Sequence, residues 1–467
     1  MQPPPLVHSP KFVQKLRWAL DPIGYLNQSR DRYGDLFGGD ISGALKQPLY
    51  LVGHPEAMQF VLSHDNRELS APGEANALLE SVVGRNSMML IDGDRHRKRR
   101  QIVMPPFHGE RLKSYGDLIC QLTHEVINQW PLDQPFCARD AMQTISMRVI
   151  LQVVFGLHQG DRYKQLETLM AKRLGLVSSP ITALLIFFPM LQADLGPWSP
   201  GGYIKPLQAE IDQLLYDEIR TRRAELADED PSSTLKGHRT DILSLLISAR
   251  DETGAGMTDE ELRDELITLL FAGHETTATA LAWALYWAHA RPDVYTQLMD
   301  ELATLGANPT PMAVVKLPYL SAFCNETLRI NPVGFVTFPR RVEQPINLLG
   351  YALEPGMLLM GCIYMLHRYS SVYSEPAKFR PERFIDHTFS PYEFMPFGNG
   401  TRRCVGAALA QYELKLAIAT ILSRCKLKLA KQSPIIAQRR GVTLAPRGGV
   451  MLQLLERKPI VAASVAV

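Results

Sequence analysis

Phe397-Gly398-Asn399-Gly400-Thr401-Arg402-Arg403-Cys404-Val405-Gly406 is the stretch that decides the fold. Cys404 stands just before a predicted helix that opens with Ala407-Ala408-Leu409-Ala410-Gln411. A cysteine there meets unsatisfied backbone N–H groups and the positive end of the helix dipole, and both favour the thiolate. Gly398, Gly400 and Gly406 permit positive φ and close approach of backbone to a flat ligand. Arg402 brings positive charge for an anionic group on that ligand. The usual fate of a free thiol is burial as a small apolar side chain. Phe397, Gly400, Arg402, Cys404 and Gly406 at their fixed spacing argue against that fate, since chance gives such a match in roughly one chain in ten thousand.

The bulk of the chain agrees with a large folded protein. It has 467 residues, 46% hydrophobic and 21% charged, and no linker divides it, so one domain over 1–467 is expected, with 1–33 as a lead-in. A formal charge of +2 gives no general reason to expect nucleic acid. The six cysteines (120, 137, 324, 362, 404, 425) lack C-x-x-C spacing, which excludes a zinc ribbon and points to a reducing, cytoplasmic setting. The lead-in starts Met1-Gln2-Pro3-Pro4-Pro5 and has no apolar h-region, and no run of 18 apolar residues occurs anywhere, so a lead-in without a membrane anchor is expected.

Helical periodicity dominates from 113 to 292, with a Pro/Gly-rich interruption expected at 189–206. Short β-rich pieces lie at 48–52, 357–360 and 442–444, and 372–396 forms a long unpatterned loop of the kind that is usually functional or tightly tethered. The fold class is therefore mainly α, an α+β arrangement with small peripheral sheets.

Thr258-Asp259-Glu260-Glu261 is a capping box, and the helix it opens is expected to run to Ala290, stopped by Arg291-Pro292. Its apolar surface is interrupted by Ala272-Gly273-His274-Glu275-Thr276-Thr277, where Thr276 is placed to bond back to the carbonyl of Ala272. A second helix starting at Leu317-Pro318 holds Glu326 and Arg329 three apart on one face, among apolar neighbours. The basic run Arg95-His96-Arg97-Lys98-Arg99-Arg100 puts His96 and Arg100 on one helix face and Arg95 and Arg99 on another. Read alone, the run is a solvated helix face or a nucleic-acid patch.

His96 with Arg100 four later, Ala-Gly-x-Glu-Thr, Glu-x-x-Arg, Phe379-Arg380-Pro381-Glu382-Arg383-Phe384 and Phe-x-x-Gly-x-Arg-x-Cys-x-Gly, in this order along the chain, resemble the cytochrome P450 family over essentially the whole chain. The resemblance implies a cytochrome P450 fold whose long central helix crosses a haem b (iron protoporphyrin IX), with Cys404 as axial thiolate ligand. It implies that Phe397 and Gly400 shape the loop, and that His96, Arg100 and Arg402 hold the propionates, with Arg340 or Arg341 as a further contact. Thr276 becomes the alcohol that steadies bound dioxygen and relays protons, and Glu275 its acid partner. Glu326, Arg329 and Arg383 become a triad holding the loop behind the cysteine. The activity implied is that of a monooxygenase inserting one atom of O2 into an apolar substrate. A ferredoxin or flavodoxin with its NAD(P)H reductase would deliver the two electrons.

By the same resemblance, 71–90, Phe271-Ala272, 333–338 and 441–444 face the substrate, and their apolar character suits a fatty acid, alkane or terpenoid. The apolar segment 181–191 is either a core helix or a lid touching a membrane surface. Two rival functions are a haem-thiolate peroxygenase or isomerase and a non-catalytic haem-binding sensor. The pair Glu275-Thr276 argues against the first.

Overall fold

The computed structural model describes residues 2–42, 45, 47–156, 160–177, 194, 196, 198–227, 241–250, 254–306 and 308–459. The helices that frame the core are α1 (Gly93–Val103), α2 (Gly116–Asn128), α3 (Ala138–Phe155), α4 (Asp161–Val177), α5 (Pro200–Ala227), α6 (Asp259–Ala290), α7 (Pro318–Ile330) and α8 (Ala407–Arg424). α6 is the axis. It begins where its capping box dictates: Thr258 Oγ1 accepts from the Glu261 N–H at 3.2 Å, and the Thr258 N–H donates to the Glu261 carboxylate at 3.1 Å. Asp259, Glu260 and Glu261 place negative charge in its first turn, which suits the dipole.

α6 packs most extensively on α3 and also touches α5, α7 and α8. From Asp264 to Tyr286 every residue of α6 is buried except Phe271, Ala272, Gly273 and Thr276. A helix surrounded on all sides should be apolar all round, so three consecutive residues and Thr276, one turn on, stand out by keeping accessible surface in mid-helix. Gly273 also lets α3 come close: a Cβ on it would lie 2.8 Å from Ile150 Cδ1.

The sheets are small and peripheral. β1 (Leu36–Gly39), β2 (Leu49–Val52), β3 (Leu69–Ser70), β5 (Arg340–Val342) and β8 (Leu358–Gly361) form one sheet in the order β1-β2-β8-β5-β3, with β2 and β8 parallel. β4 (Pro135–Cys137), β12 (Met451–Arg457) and β9 (Cys425–Leu429) form a second, in the order β4-β12-β9. Two hairpins complete the set, β6 (Ile346–Leu348) with β7 (Tyr351–Leu353) and β10 (Ala437–Arg440) with β11 (Thr443–Pro446). The strands expected at 48–52, 357–360 and 442–444 are β2, β8 and β11.

One expectation shifts. The interruption at 189–206 is shorter at its far end, because α5 starts at Pro200 and carries Pro206 inside it. Pro206 costs a single backbone bond, and the remaining turns of a 28-residue helix absorb it. The apolar segment 181–191 lies outside the described residues. All six cysteines are free.

Candidate functional site

The Cys404 loop is held by backbone geometry that only some of its glycines supply. Gly398 and Gly400 take positive φ (65° and 70°), and a Cβ on Gly400 would meet the Leu62 carbonyl oxygen at 2.6 Å. Gly406, at φ −85°, does not need that freedom. The Cys404 N–H donates to the Phe397 carbonyl at 3.0 Å, closing the loop. Burial pushes the Cys404 thiol pKa up; the Gly406 N–H, Arg100 and Arg403 pull the other way. Yet the residue keeps accessible surface. Partly desolvated by its surroundings, the thiol is still reachable by a ligand.

Behind the loop lies a saturated ionic brace. Glu326 is fully buried and accepts from Arg329 Nε at 2.6 Å, Arg329 Nη2 at 2.8 Å, Arg383 Nε at 3.2 Å and the Arg380 N–H at 2.8 Å. Arg329 also donates to the carbonyls of His367, Pro376 and Lys378. His367 carries the brace to the cysteine loop. Its Nε2 accepts from the Met395 N–H at 3.1 Å, so Nδ1 bears the proton and donates to the Arg329 carbonyl at 3.2 Å. Burial, then Arg329 and Arg368, hold its pKa far below the ordinary imidazole range, which keeps that tautomer neutral.

A second cluster forms beside α1. His96 is buried, and burial followed by Arg402, Arg100 and Arg340 drives its pKa down to about 4, with Asp92 opposing. It is a neutral N–H donor at pH 7. Arg100 Nη1 donates to the Arg403 carbonyl at 2.5 Å. Arg402 reaches across to the carbonyls of Met88, Ala71 and Ile91 at 2.7–2.9 Å. Arg340, fully buried, is ion-paired with Asp65, which also accepts from the Thr401 N–H at 2.9 Å. Arg341 instead turns outward to Glu74. The basic run is less free than its sequence suggests: Arg95 and Arg99 both bind Glu261 of α6, at 3.1 and 2.8 Å, and Arg99 also reaches Glu265.

On the far side, Thr276 Oγ1 donates to the Ala272 carbonyl at 2.5 Å, the bond its sequence predicts. Glu275 is buried and does not turn to Thr276. Its carboxylate accepts from Arg139 Nη2 at 2.5 Å and Gln143 Nε2 at 2.7 Å, both on α3. One apolar cluster joins Leu79, Val82 and Val83 with Leu90, Phe271, Phe338 and Val442, which draws on all four stretches expected to face the substrate.

A thiol with accessible surface and, near α1, three guanidiniums around a neutral imidazole fit a flat group that carries carboxylates and a thiolate-accepting metal. The family described as Cytochrome P450 matches residues 3–453. The chain belongs to the cytochrome P450 family. Among relatives, the Mycobacterium tuberculosis (strain H37Rv) protein named "Putative cytochrome P450 135B1" is 33% identical over 454 residues, spanning 97% of this chain and 92% of that one. "Putative cytochrome P450 138" of Mycobacterium bovis is 31% identical over 447 residues, 96% of this chain and 95% of the relative. Among solved structures, "Retinoic acid bound cyanobacterial CYP120A1" superposes with a TM-score of 0.82 at 22% identity, covering 98% of this chain and all of that one, and shows the shared fold. Members of this P450 family are haem proteins with a cysteine thiolate ligand, and monooxygenation is their general kind of function. Among the described residues no helix is long and apolar enough to cross a membrane.

Several P450 site residues escape a reading of motifs. Arg139 and Gln143 are four apart and Ser146 three further, so one face of α3 turns towards α6. That spacing was a usable signal, but nothing local says that their acceptor lies more than a hundred residues away. His367 and Asp65 sit in short loops with no pattern around them.

Proposed function

We propose that this cytochrome P450 is a haem-thiolate monooxygenase that acts on an apolar organic substrate, with Cys404 as axial ligand of haem b. The observation that carries this reading is the Cys404 loop itself, closed on Phe397 and shaped by Gly398 and Gly400, with a reachable thiol. The chemistry that haem supplies when bound is reductive activation of dioxygen, one atom going to substrate and the other to water. The chain's own residues do the rest. The Gly406 N–H and the charges of Arg100 and Arg403 favour the thiolate against the burial that opposes it. His96, Arg100, Arg340 and Arg402 hold the propionates by charge-assisted hydrogen bonds. The brace of Glu326, Arg329 and Arg383, extended by His367, fixes the loop so that the sulfur does not wander.

Thr276 holds a proton at Oγ1 beside the substrate, and Glu275, anchored by Arg139 and Gln143, sets the field behind it. The cluster around Phe271, Phe338 and Val442 excludes water and accepts a fatty acid, alkane or terpenoid skeleton. Electrons come from a cytoplasmic ferredoxin or flavodoxin with its NAD(P)H reductase, whose acidic surface meets exposed Arg97 and Arg403. Cys404→Ser tests the reading: the reduced carbon monoxide complex should lose its thiolate-type absorbance band. A variant that kept the band would refute the assignment.

A further inference from the structure

α4 turns Tyr163, Leu166, Met170 and Arg173 inwards at helical spacing. The first three are core side chains, and the fourth is a guanidinium in the same stripe, 2% exposed. Burying a cation costs free energy unless partners replace its water. Arg173 has only one: Nη2 donates to the Val82 carbonyl at 2.5 Å, while Nε and Nη1 have no hydrogen-bond partner among the described residues.

The acids nearby are already committed. Asp212 accepts Arg263 Nε at 2.8 Å and Nη2 at 2.7 Å, and Asp264 accepts Arg263 Nη1 at 2.6 Å and the Asn86 N–H at 2.9 Å. Burial, then repulsion from Arg263, lower the Arg173 pKa to about 10, with Asp212 opposing, so it remains a cation at neutral pH. Its one partner is informative. Val82 belongs to the apolar cluster with Phe271, Phe338 and Val442, the wall against which the substrate is expected to lie. A lone unsaturated cation therefore borders an apolar wall.

We propose that Arg173 anchors a carboxylate carried at one end of an otherwise apolar substrate. This rests on the monooxygenase reading and narrows its substrate class from hydrocarbons in general to amphipathic acids. One guanidinium matches one negative charge, since Arg263 is spent on its own two acids; a phosphate ester would ask for more. The carboxylate would complete the bonds that Arg173 lacks, and its apolar body would extend along the cluster towards Phe271.

The test uses the haem-loaded enzyme and three acids, lauric, palmitic and abietic, each beside its methyl ester. Affinities come from the haem spin-state shift and, independently of haem, from equilibrium dialysis. At least one acid should bind the wild-type enzyme about tenfold more tightly than its ester, the scale of a charge-assisted hydrogen bond. Arg173→Met should bring that ratio to about one while the ester's affinity stays unchanged, and Arg173→Lys should retain part of it. The anchor is overturned if no acid outbinds its ester, or if Arg173→Met preserves the ratio. Should Arg173→Met fail to fold, the wild-type ratio and Arg173→Gln still decide. A wild-type protein without the thiolate-type carbon monoxide band would bring down the monooxygenase reading and this anchor with it. A protein with that band and no preference for acids would lose the anchor alone.

Discussion

Arg329 and Arg173 are both buried arginines, and they differ in what surrounds them. Arg329 makes five hydrogen bonds, two to Glu326 and three to backbone carbonyls, and Tyr373 lies under its guanidinium. Arg173 makes one. The first is a finished structural joint on the cysteine side of the molecule. The second is an unfinished one on the substrate side. Unsaturated buried charge costs free energy, which is why the proposed carboxylate anchor is placed at Arg173 and not at Arg329.

Removing each cation breaks or sharpens that contrast, and this is the largest effect expected. Arg329→Met strands the Glu326 carboxylate, which keeps only Arg383 and the Arg380 N–H, and should cost about 3–5 kcal/mol in denaturant unfolding, with loss of haem content. Arg173→Met strands no acid and should change stability by less than about 1 kcal/mol, or raise it. Equal losses in the two variants would erase the distinction between joint and anchor.

The acids repeat the pattern. Glu326 is saturated, whereas Glu413 of α8, also buried, has one carboxyl oxygen without a partner among the described residues. Its one hydrogen-bonding neighbour among the described residues is the Ser146 hydroxyl, which also donates to the Gly273 carbonyl at 3.1 Å. Burial pushes its pKa up from 4.5 to about 8, with the Ser146 bond opposing, so the carboxyl is largely protonated in the fold at neutral pH. The folded state then binds the proton that the unfolded chain releases. Stability should therefore fall as pH rises from 4.5 to about 8, and flatten above that. Glu413→Gln keeps a neutral donor at every pH. Its stability relative to wild type should climb through that window by a few kcal/mol at most. A difference independent of pH would mean that Glu413 is ionised in the fold.

Most of the cysteine side was legible in the sequence because its determinants are local. Gly398 and Gly400 answer to backbone conformation, Glu326 and Arg329 share one turn, and the capping box at Thr258 closes within four residues. What stayed hidden depends on register or on distant partners. Arg340 and Arg341 are adjacent, and only the placement of β5 beside β3 and β8 turns Arg340 inwards and Arg341 out, since a one-residue slip exchanges them. Arg95 and Arg99 looked like a surface patch until α1 was laid against the first turns of α6. Glu275 looked like the partner of Thr276, yet a buried carboxylate takes the strongest donors in reach, and these come from α3.

With Glu275 held by α3, the proposed proton relay rests on Thr276. Its hydroxyl gives its one proton to the Ala272 carbonyl and keeps its lone pairs free to accept on the accessible face of α6. Thr276→Ala loses this bond but gains helix propensity, so its stability should stay within about 1 kcal/mol of wild type. Product formed per NAD(P)H consumed should nevertheless fall severalfold, because protons no longer arrive in step with electrons, while Thr276→Ser keeps most of the coupling. The measurement is a ratio, insensitive to how much enzyme folds. Full coupling in Thr276→Ala would move the proton route away from this hydroxyl and back to Glu275 and its donors on α3.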